Sequence, residues 1–265
     1  MPQFAANLSL LYKDLPFLER FAAAARSGFK TVEFQFPYDF PAQEIARCLS
    51  DAKLGLAMHN LPAGDWAAGD RGMAVDPQRV DEFRRGVALG IEYARVLGTP
   101  QMNCLAGIAP AGLDAQQGRA SLVANLRWAA GELQRHGIGL LLEPINTFDI
   151  PGFFVNRTAQ ALQILDDVGA DTLRLQYDIY HAQRMEGELA GNLRLHLPRI
   201  GHIQLADNPG RNEPGTGEIN YRFLFQLLDQ LGYKGCIGCE YIPRDTTAAG
   251  TDAGLGWLAA HGQSL

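Results

Sequence analysis

The stretch His136-Gly137-Ile138-Gly139-Leu140-Leu141-Leu142-Glu143-Pro144 holds the fold in miniature. It begins where a segment of helical periodicity, 114–136, runs out, and the apolar run 139–143 that follows reads as a strand. Gly137 stands at the junction, where a left-handed cap turns a chain from helix back toward the sheet. Glu143 then ends the strand and Pro144 opens a loop.

Outward from this unit the pattern repeats. Further strands are expected at 4–8, 31–36, 54–58, 101–104, 173–178, 200–205 and 236–240. Helices are expected at 16–26, 41–51, 77–97, 158–168 and 221–231, several opened by Pro or by a capping Asp or Thr. Gly28, Gly55, Gly98, Gly169 and Gly232 occupy the same helix-to-strand junction as Gly137. Eight strands is the number that closes a (β/α)8 TIM barrel, and that is the expected fold. A doubly wound open sheet would carry a Gly-rich phosphate loop after its first strand, and Asn7-Leu8-Ser9-Leu10 has no glycine. No Ser- or Pro-rich linker, charge block or low-complexity tract divides residues 1–265, so a single domain is expected.

The 265 residues are 47% hydrophobic and 20% charged, which excludes disorder and allows a sizeable core. With 23 Lys and Arg against 29 Asp and Glu, the net charge of -6 repels phosphate backbones, and nucleic acid is not an expected partner. No apolar run reaches the about 18 residues of a membrane span, and the N-terminus has no basic cluster ahead of a hydrophobic run. A cytoplasmic protein without membrane partners is expected. Cys48, Cys104, Cys236 and Cys239 are too scattered for a disulfide framework and suit a reducing compartment. Cys236 and Cys239, three apart on a strand, face opposite sides of the sheet and cannot share a metal.

The chemistry concentrates at strand ends. Long loops at 59–76, 144–157 and 206–220 all follow the C-terminal end of a strand, the face on which barrel enzymes build their sites. Glu143, Asp178, Gln204 and Glu240 close or nearly close strands five to eight. One such residue alone anchors a loop as often as it binds a ligand, but four from consecutive strands stand side by side on the barrel rim. Facing carboxylates repel, and a bound divalent cation relieves the repulsion. An oxygen-rich set favours Mg²⁺ or Mn²⁺. Strand parity puts His202 with Gln204 on one face, and Cys236 and Gly238 with Glu240, so that small neighbours leave room for a ligand. His59 and His181 are candidates to orient or polarise a substrate oxygen, or else ordinary polar residues. Arg71 and Arg211, on rim loops, are candidates to grip a carboxylate in a fork, or else solvated loop arginines.

The motifs themselves are specific: His59-Asn60-Leu61-Pro62-Ala63-Gly64-Asp65-Trp66, Glu143-Pro144-Ile145-Asn146, Phe148-Asp149-Ile150-Pro151-Gly152-Phe153, Gln176-Tyr177-Asp178-Ile179-Tyr180-His181, Ala206-Asp207-Asn208-Pro209, Glu213-Pro214-Gly215-Thr216-Gly217-Glu218 and Gly238-Cys239-Glu240-Tyr241. In these the chain resembles the hydroxypyruvate isomerase family of xylose-isomerase-like barrels almost from end to end. The resemblance implies that Glu143 and Glu240 are the catalytic acid/base pair and that they hold a divalent metal ion with Asp178 and Gln204. It further implies a small hydroxy- or oxo-acid substrate, with hydroxypyruvate and 2-hydroxy-3-oxopropanoate interconverted through an enediolate. Relatives acting on four-carbon 2-oxo-tetronates share these motifs, so that substrate stays open, as does a sugar or keto-acid epimerase on the same barrel. The wider superfamily places a histidine where Gln204 stands, and a neutral amide oxygen favours a harder cation than zinc. A multi-zinc endonuclease would need more histidines and a basic groove, and the chain has neither. The sequence leaves a homo-oligomer open.

Overall fold

The structure is a computed structural model describing residues 2–265. Among these residues eight parallel strands close a barrel in sequence order: β1 (Gln3–Asn7), β2 (Thr31–Phe34), β3 (Gly55–Asn60), β4 (Gln101–Cys104), β5 (Gly139–Leu142), β6 (Leu173–Asp178), β7 (Ile200–Leu205) and β8 (Cys236–Cys239). Closure comes from β1 pairing with β8, Ala5 beside Gly238 and Ala6 beside Cys239. The expected TIM barrel is therefore the fold.

Helices α1 (Phe17–Arg26), α2 (Ala42–Ala52), α3 (Val80–Leu97), α4 (Ala115–Gln134) and α5 (Thr158–Val168) wrap the first part of the barrel. They bury an apolar stripe against the strands, as Phe17 and Phe21 do on Phe34. Asp114 caps α4 by accepting from the backbone N–H groups of Gln116 and Gln117. Five of the junction glycines, Gly28, Gly98, Gly137, Gly169 and Gly232, have positive φ as expected. Gly55 does not: it is already in β3, and Lys53 takes the left-handed position after α2 with φ 53°.

Two helices after β6 fall outside the sequence expectation, α6 (Ile179–Met185) and α7 (Leu189–His196). No loop announces α6, because Asp178 is at once the last residue of β6 and the cap of the helix, its Oδ1 accepting from the N–H groups of Tyr180 and His181. After β7 come α8 (Tyr221–Gln230) and, beyond β8, the short α9 (Ala248–Gly254) and α10 (Trp257–Ala260). Trp257 of α10 packs edge-on to Phe4 of β1 and stacks with Phe225 of α8, so the C-terminus covers the base of the seam where the barrel closes.

Inside the barrel the packing is polar. Val32 and Phe34 are core residues, and Glu33 between them points into the lumen, fully buried. Its Oε1 accepts from Asn7 Nδ2 at 2.9 Å and Gln204 Nε2 at 2.7 Å, and Oε2 lies 2.6 Å from His202 Nε2. Gly238 makes space for this carboxylate. A Cβ there would meet Glu33 Oε1 at 2.2 Å and Oε2 at 2.3 Å. The room beside Glu240 that the small residues of β8 were expected to leave for a ligand is thus occupied by Glu33. Three partners hold that carboxylate, so it cannot swing aside freely. Gly238→Ala is expected to cost about 1–3 kcal/mol as an overpacked core substitution. An unchanged thermal midpoint in the variant would show that Glu33 yields its place without loss.

Candidate active site

The strand ends gather the carboxylates. Glu143 is the first residue beyond β5, Asp178 the last of β6, and Glu240 the first beyond β8; all three are buried. Together with His181 on α6, they each present one donor atom such that all four atoms lie within 4.8 Å of one another. A buried Glu/Asp/His cluster of this kind can hold a metal ion.

Each carboxylate is held by different means. Glu143 Oε2 accepts from Asn103 Nδ2 on β4 at 2.8 Å. Glu240 Oε1 accepts from Gln35 Nε2 at 3.0 Å and Asn7 Nδ2 at 3.3 Å, while its Oε2 accepts from Arg211 Nη2 at 2.7 Å. Asp178 Oδ1 takes the two backbone N–H groups that begin α6, at 2.7 and 3.2 Å. Asp178 Oδ2 is buried with no hydrogen-bond partner among the described residues. A buried carboxylate oxygen left bare is costly, and one within a carboxylate cluster can be satisfied by a cation or a proton.

Electrostatics agree. Burial, then the nearby charges of Glu240 and Asp178, push the Glu143 carboxyl well above the usual range. Burial, then Glu240, pushes Asp178 up to about 7. Burial and the charges of Arg211 and Arg184 hold His181 well below its ordinary value, so its imidazole is neutral. Burial opposes the charge on Arg211, yet Glu240, Asp178, Asp149 and Glu143 outweigh it and keep the guanidinium charged. Arg211 is held in place by its loop: its φ is 55°, and its carbonyl accepts from Ile242 N at 2.7 Å.

The cavity above these residues is lined by the polar side chains of Glu143, His181, Arg211, Glu240, Gln35, Asn60 and Asp149 and by Phe36, Trp66, Leu105, Ile145 and Ile150. Such a lining suits a small polar ligand held by a few convergent groups. A wider groove between α3 and α4 lies on the outer surface, away from the strand ends.

Of the residues singled out in the sequence, Glu143, Asp178, Glu240, His181 and Arg211 come together. Gln204 sits beside Asp178 in register, but both ends of its amide are engaged: Nε2 donates to Glu33, and Oε1 accepts from Gln176 Nε2 at 2.6 Å. His59 points to the outer side of the barrel, with Nδ1 3.1 Å from Thr99 Oγ1 and its ring against Phe34 and Tyr38. Burial holds it neutral, down to about 3. Arg71 turns away from the cavity, its guanidinium 4.0 Å from the centre of the Trp66 ring and donating to the carbonyls of Trp66 and Asp70. Neither His59 nor Arg71 lines the cavity.

Sequence reading passed over Asn7, Gln35, Asn103, Asn146 and Asp149. Asn7 and Asn103 are uncharged strand-end residues that carry the same positional signal as the carboxylates they support.

The likeness to known proteins runs the length of the chain. Residues 21–261 match the family described as xylose isomerase-like TIM barrel. Hydroxypyruvate isomerase of Escherichia coli is 54% identical over 258 residues, 97% of this chain and 98% of that protein. The 2-oxo-tetronate isomerase of Cupriavidus necator is 48% identical with the same coverage of both. A Brucella melitensis crystal structure described as an AP endonuclease, family 2, superposes with a TM-score of 0.94 at 43% identity, covering 98% of this chain and 99% of that one. D-Psicose 3-epimerase from Clostridium cellulolyticum, at 16% identity and a TM-score of 0.81 with full coverage of both chains, shares the fold. With these matches added to the closed barrel and its strand-end cluster, the chain belongs to the xylose isomerase-like TIM barrel family.

Proposed function

We propose that the protein is an isomerase interconverting hydroxypyruvate and 2-hydroxy-3-oxopropanoate by proton transfer between adjacent carbons. The observation that carries this reading is the pair Glu143 and Glu240, buried beyond β5 and β8 with carboxylate oxygens within 4.8 Å of each other and both lining the cavity. Moving a carbonyl to the neighbouring carbon means removing a proton from one carbon and returning one to the next through an enediolate. Two positioned carboxylates supply the base and the acid.

The other residues support that transfer. Asn103 holds Glu143, while Gln35 and Asn7 hold Glu240, so each reacting carboxylate is aimed without relying on the substrate. Arg211 is the carboxylate grip, since its guanidinium lines the cavity beside Glu240 and stays charged there. The bare Asp178 Oδ2 and the oxygen-rich donor set fit a hard divalent ion, Mg²⁺ or Mn²⁺, held by Glu143, Asp178 and Glu240. Gln204, which the resemblance implies as a fourth holder, would join that set only by giving up its bond from Gln176 Nε2. A bound ion would supply Lewis-acid stabilisation of the charge developing on the substrate oxygens. The identity of 54% to the Escherichia coli enzyme favours the three-carbon substrate, and the 48% to the Cupriavidus necator enzyme makes a four-carbon 2-oxo-tetronate the second reading.

An NMR time course in D₂O with hydroxypyruvate, beside a 2-oxo-tetronate and an EDTA-treated control, separates them. Formation of the aldehyde with solvent deuterium at carbon is expected. Conversion of the four-carbon acid alone would move the protein to the tetronate reaction. Glu143→Gln and Glu240→Gln should each lower kcat by about 10²-fold or more, the usual weight of general acid-base catalysis, with the fold intact by circular dichroism. Near-normal turnover in either variant would remove that glutamate from the mechanism.

The raised carboxyl of Asp178 gives a stability test. Unfolded, it titrates near its ordinary value of 3.8; folded and metal-free, at about 7. Between those values the folded state holds the extra proton, so the metal-free protein should lose stability as pH rises from about 4 to 7. Mg²⁺ or Mn²⁺ competes with that proton, so the thermal shift it produces should be larger at pH 8 than at pH 5. An equal shift at both would place the ion elsewhere.

A further inference from the structure

Asn146, on the loop after β5, meets His181 of α6 beside the carboxylate cluster. Its amide has one orientation. Oδ1 accepts from the backbone N–H groups of Phe148 at 3.0 Å and Asp149 at 2.8 Å, and Nδ2 donates to Asp149 Oδ2 at 3.0 Å. A rotated amide would set N–H against N–H at the loop and carbonyl against carboxylate at Asp149. In the orientation that remains, Nδ2 lies 2.6 Å from His181 Nδ1, and the Asn146 backbone N–H points at the same nitrogen from 3.5 Å.

Both neighbours of Nδ1 are donors, the side-chain Nδ2 in close contact and the backbone N–H at the far limit of a hydrogen bond. Nδ1 must therefore present its lone pair. A proton there, in the other tautomer or in the imidazolium, would face two N–H groups, so the ring's proton stands on Nε2. We propose that Asn146 is a positioning residue that locks His181 in the Nε2–H form, making it a hydrogen-bond donor to a substrate oxygen and barring it from metal ligation.

The surroundings of Nε2 agree. Glu143 Oε1 lies 3.9 Å away and Asp178 Oδ2 3.8 Å, beyond hydrogen-bond reach, so the donor is not consumed by the carboxylates. His181 lines the cavity. Coordination would need a lone pair on the nitrogen that carries the proton, which leaves the carboxylates of the four-residue cluster as the ligands. That the donor serves an enediolate oxygen rests on the proposed isomerisation; the tautomer itself does not. An N–H aimed at a developing oxyanion stabilises it without giving up the proton.

Long-range ¹H–¹⁵N correlation spectra of the ¹⁵N-labelled full chain, metal-stripped and Mg²⁺-loaded, read the tautomer directly, with His181→Gln assigning the signal. Unprotonated Nδ1 and protonated Nε2 are expected in both states. Asn146→Asp keeps the acceptor for Phe148 and Asp149 N–H but offers His181 an acceptor, so the proton should move to Nδ1 and kcat should fall about 10–100-fold, the range for lost support of a site residue. Asp149→Asn alone should leave the tautomer unchanged. Asn146→Asp combined with Asp149→Asn, which removes the new contact between like charges, should keep it shifted. Protonated Nδ1 in the wild type, a metal-bound nitrogen with Mg²⁺, or a wild-type tautomer in Asn146→Asp would overturn the lock. An intact Nε2–H signal in a protein that turns over no oxo-acid would support the lock and sink only the isomerase reading.

Discussion

Repulsion among Glu143, Asp178 and Glu240 is the constraint from which the rest of the site follows. Two unit charges about 5 Å apart repel by about 3 kcal/mol at an effective dielectric of about 20. An amide hydrogen bond to a carboxylate returns about 1.5–3 kcal/mol net but brings no opposite charge. The amides of Asn103, Gln35 and Asn7 therefore orient the carboxylates without cancelling their charge. Relief must come from a proton, from Arg211 or from a cation. Arg211 reaches Glu240, and the raised carboxyls of Glu143 and Asp178 favour their protonated forms when no ion is bound. Asp178 Oδ2, the oxygen without a hydrogen-bond partner, is the atom that would take such a proton or a cation.

Beneath this layer lies a second carboxylate, Glu33, and here the balance is the reverse. Every oxygen has a partner, and the partners are tied onward: Asn7 to Glu240, Gln204 to Gln176. A fully partnered buried carboxylate is rigid. Glu33 therefore serves as a floor that fixes Asn7 and Gln204, below the less fully partnered carboxylates of the rim. Gly238 is the condition for that floor, since any side chain there would displace Glu33.

The sequence showed the barrel and the three carboxylates because those features are local: an apolar run, a glycine, an acidic residue at the strand end. It was blind where position depends on closure. Glu33 looks like a charge in the middle of a strand until the barrel curls and puts it opposite Gly238, on a strand that is far away in the chain. His59 and His181 look alike as strand-end histidines, yet one faces Phe34 and Tyr38 and the other the cavity. A register shift between β2 and β3, at Val32/Phe34, accompanies the strand that carries His59, and no residue pattern announces it. Asn103 and Asn7 were missed for a different reason, since a search that weighs charge alone does not see the neutral amides that hold charges in place.

Arg71 shows how far a loop residue can act from where its charge suggests. Its guanidinium covers one face of Trp66, whose ring packs against Phe36 at 5.2 Å. The same loop is tied down by Arg79, which pairs with both oxygens of Asp70 while Asp70 Oδ2 also accepts from Asp65 N. Gly72 bridges to Ala106 on the next loop, at a φ of 119° and with no space for a Cβ beside the Leu105 carbonyl. Trp66 is thus held between Arg71 and Phe36 by contacts within the protein, though it remains 42% exposed. Among the described residues Arg211 is the one arginine lining the cavity, and the apolar lining includes Phe36, Trp66 and Ile150. The cavity thus brings together one guanidinium, the carboxylates of Glu143 and Glu240, and an indole that its own loop holds in place.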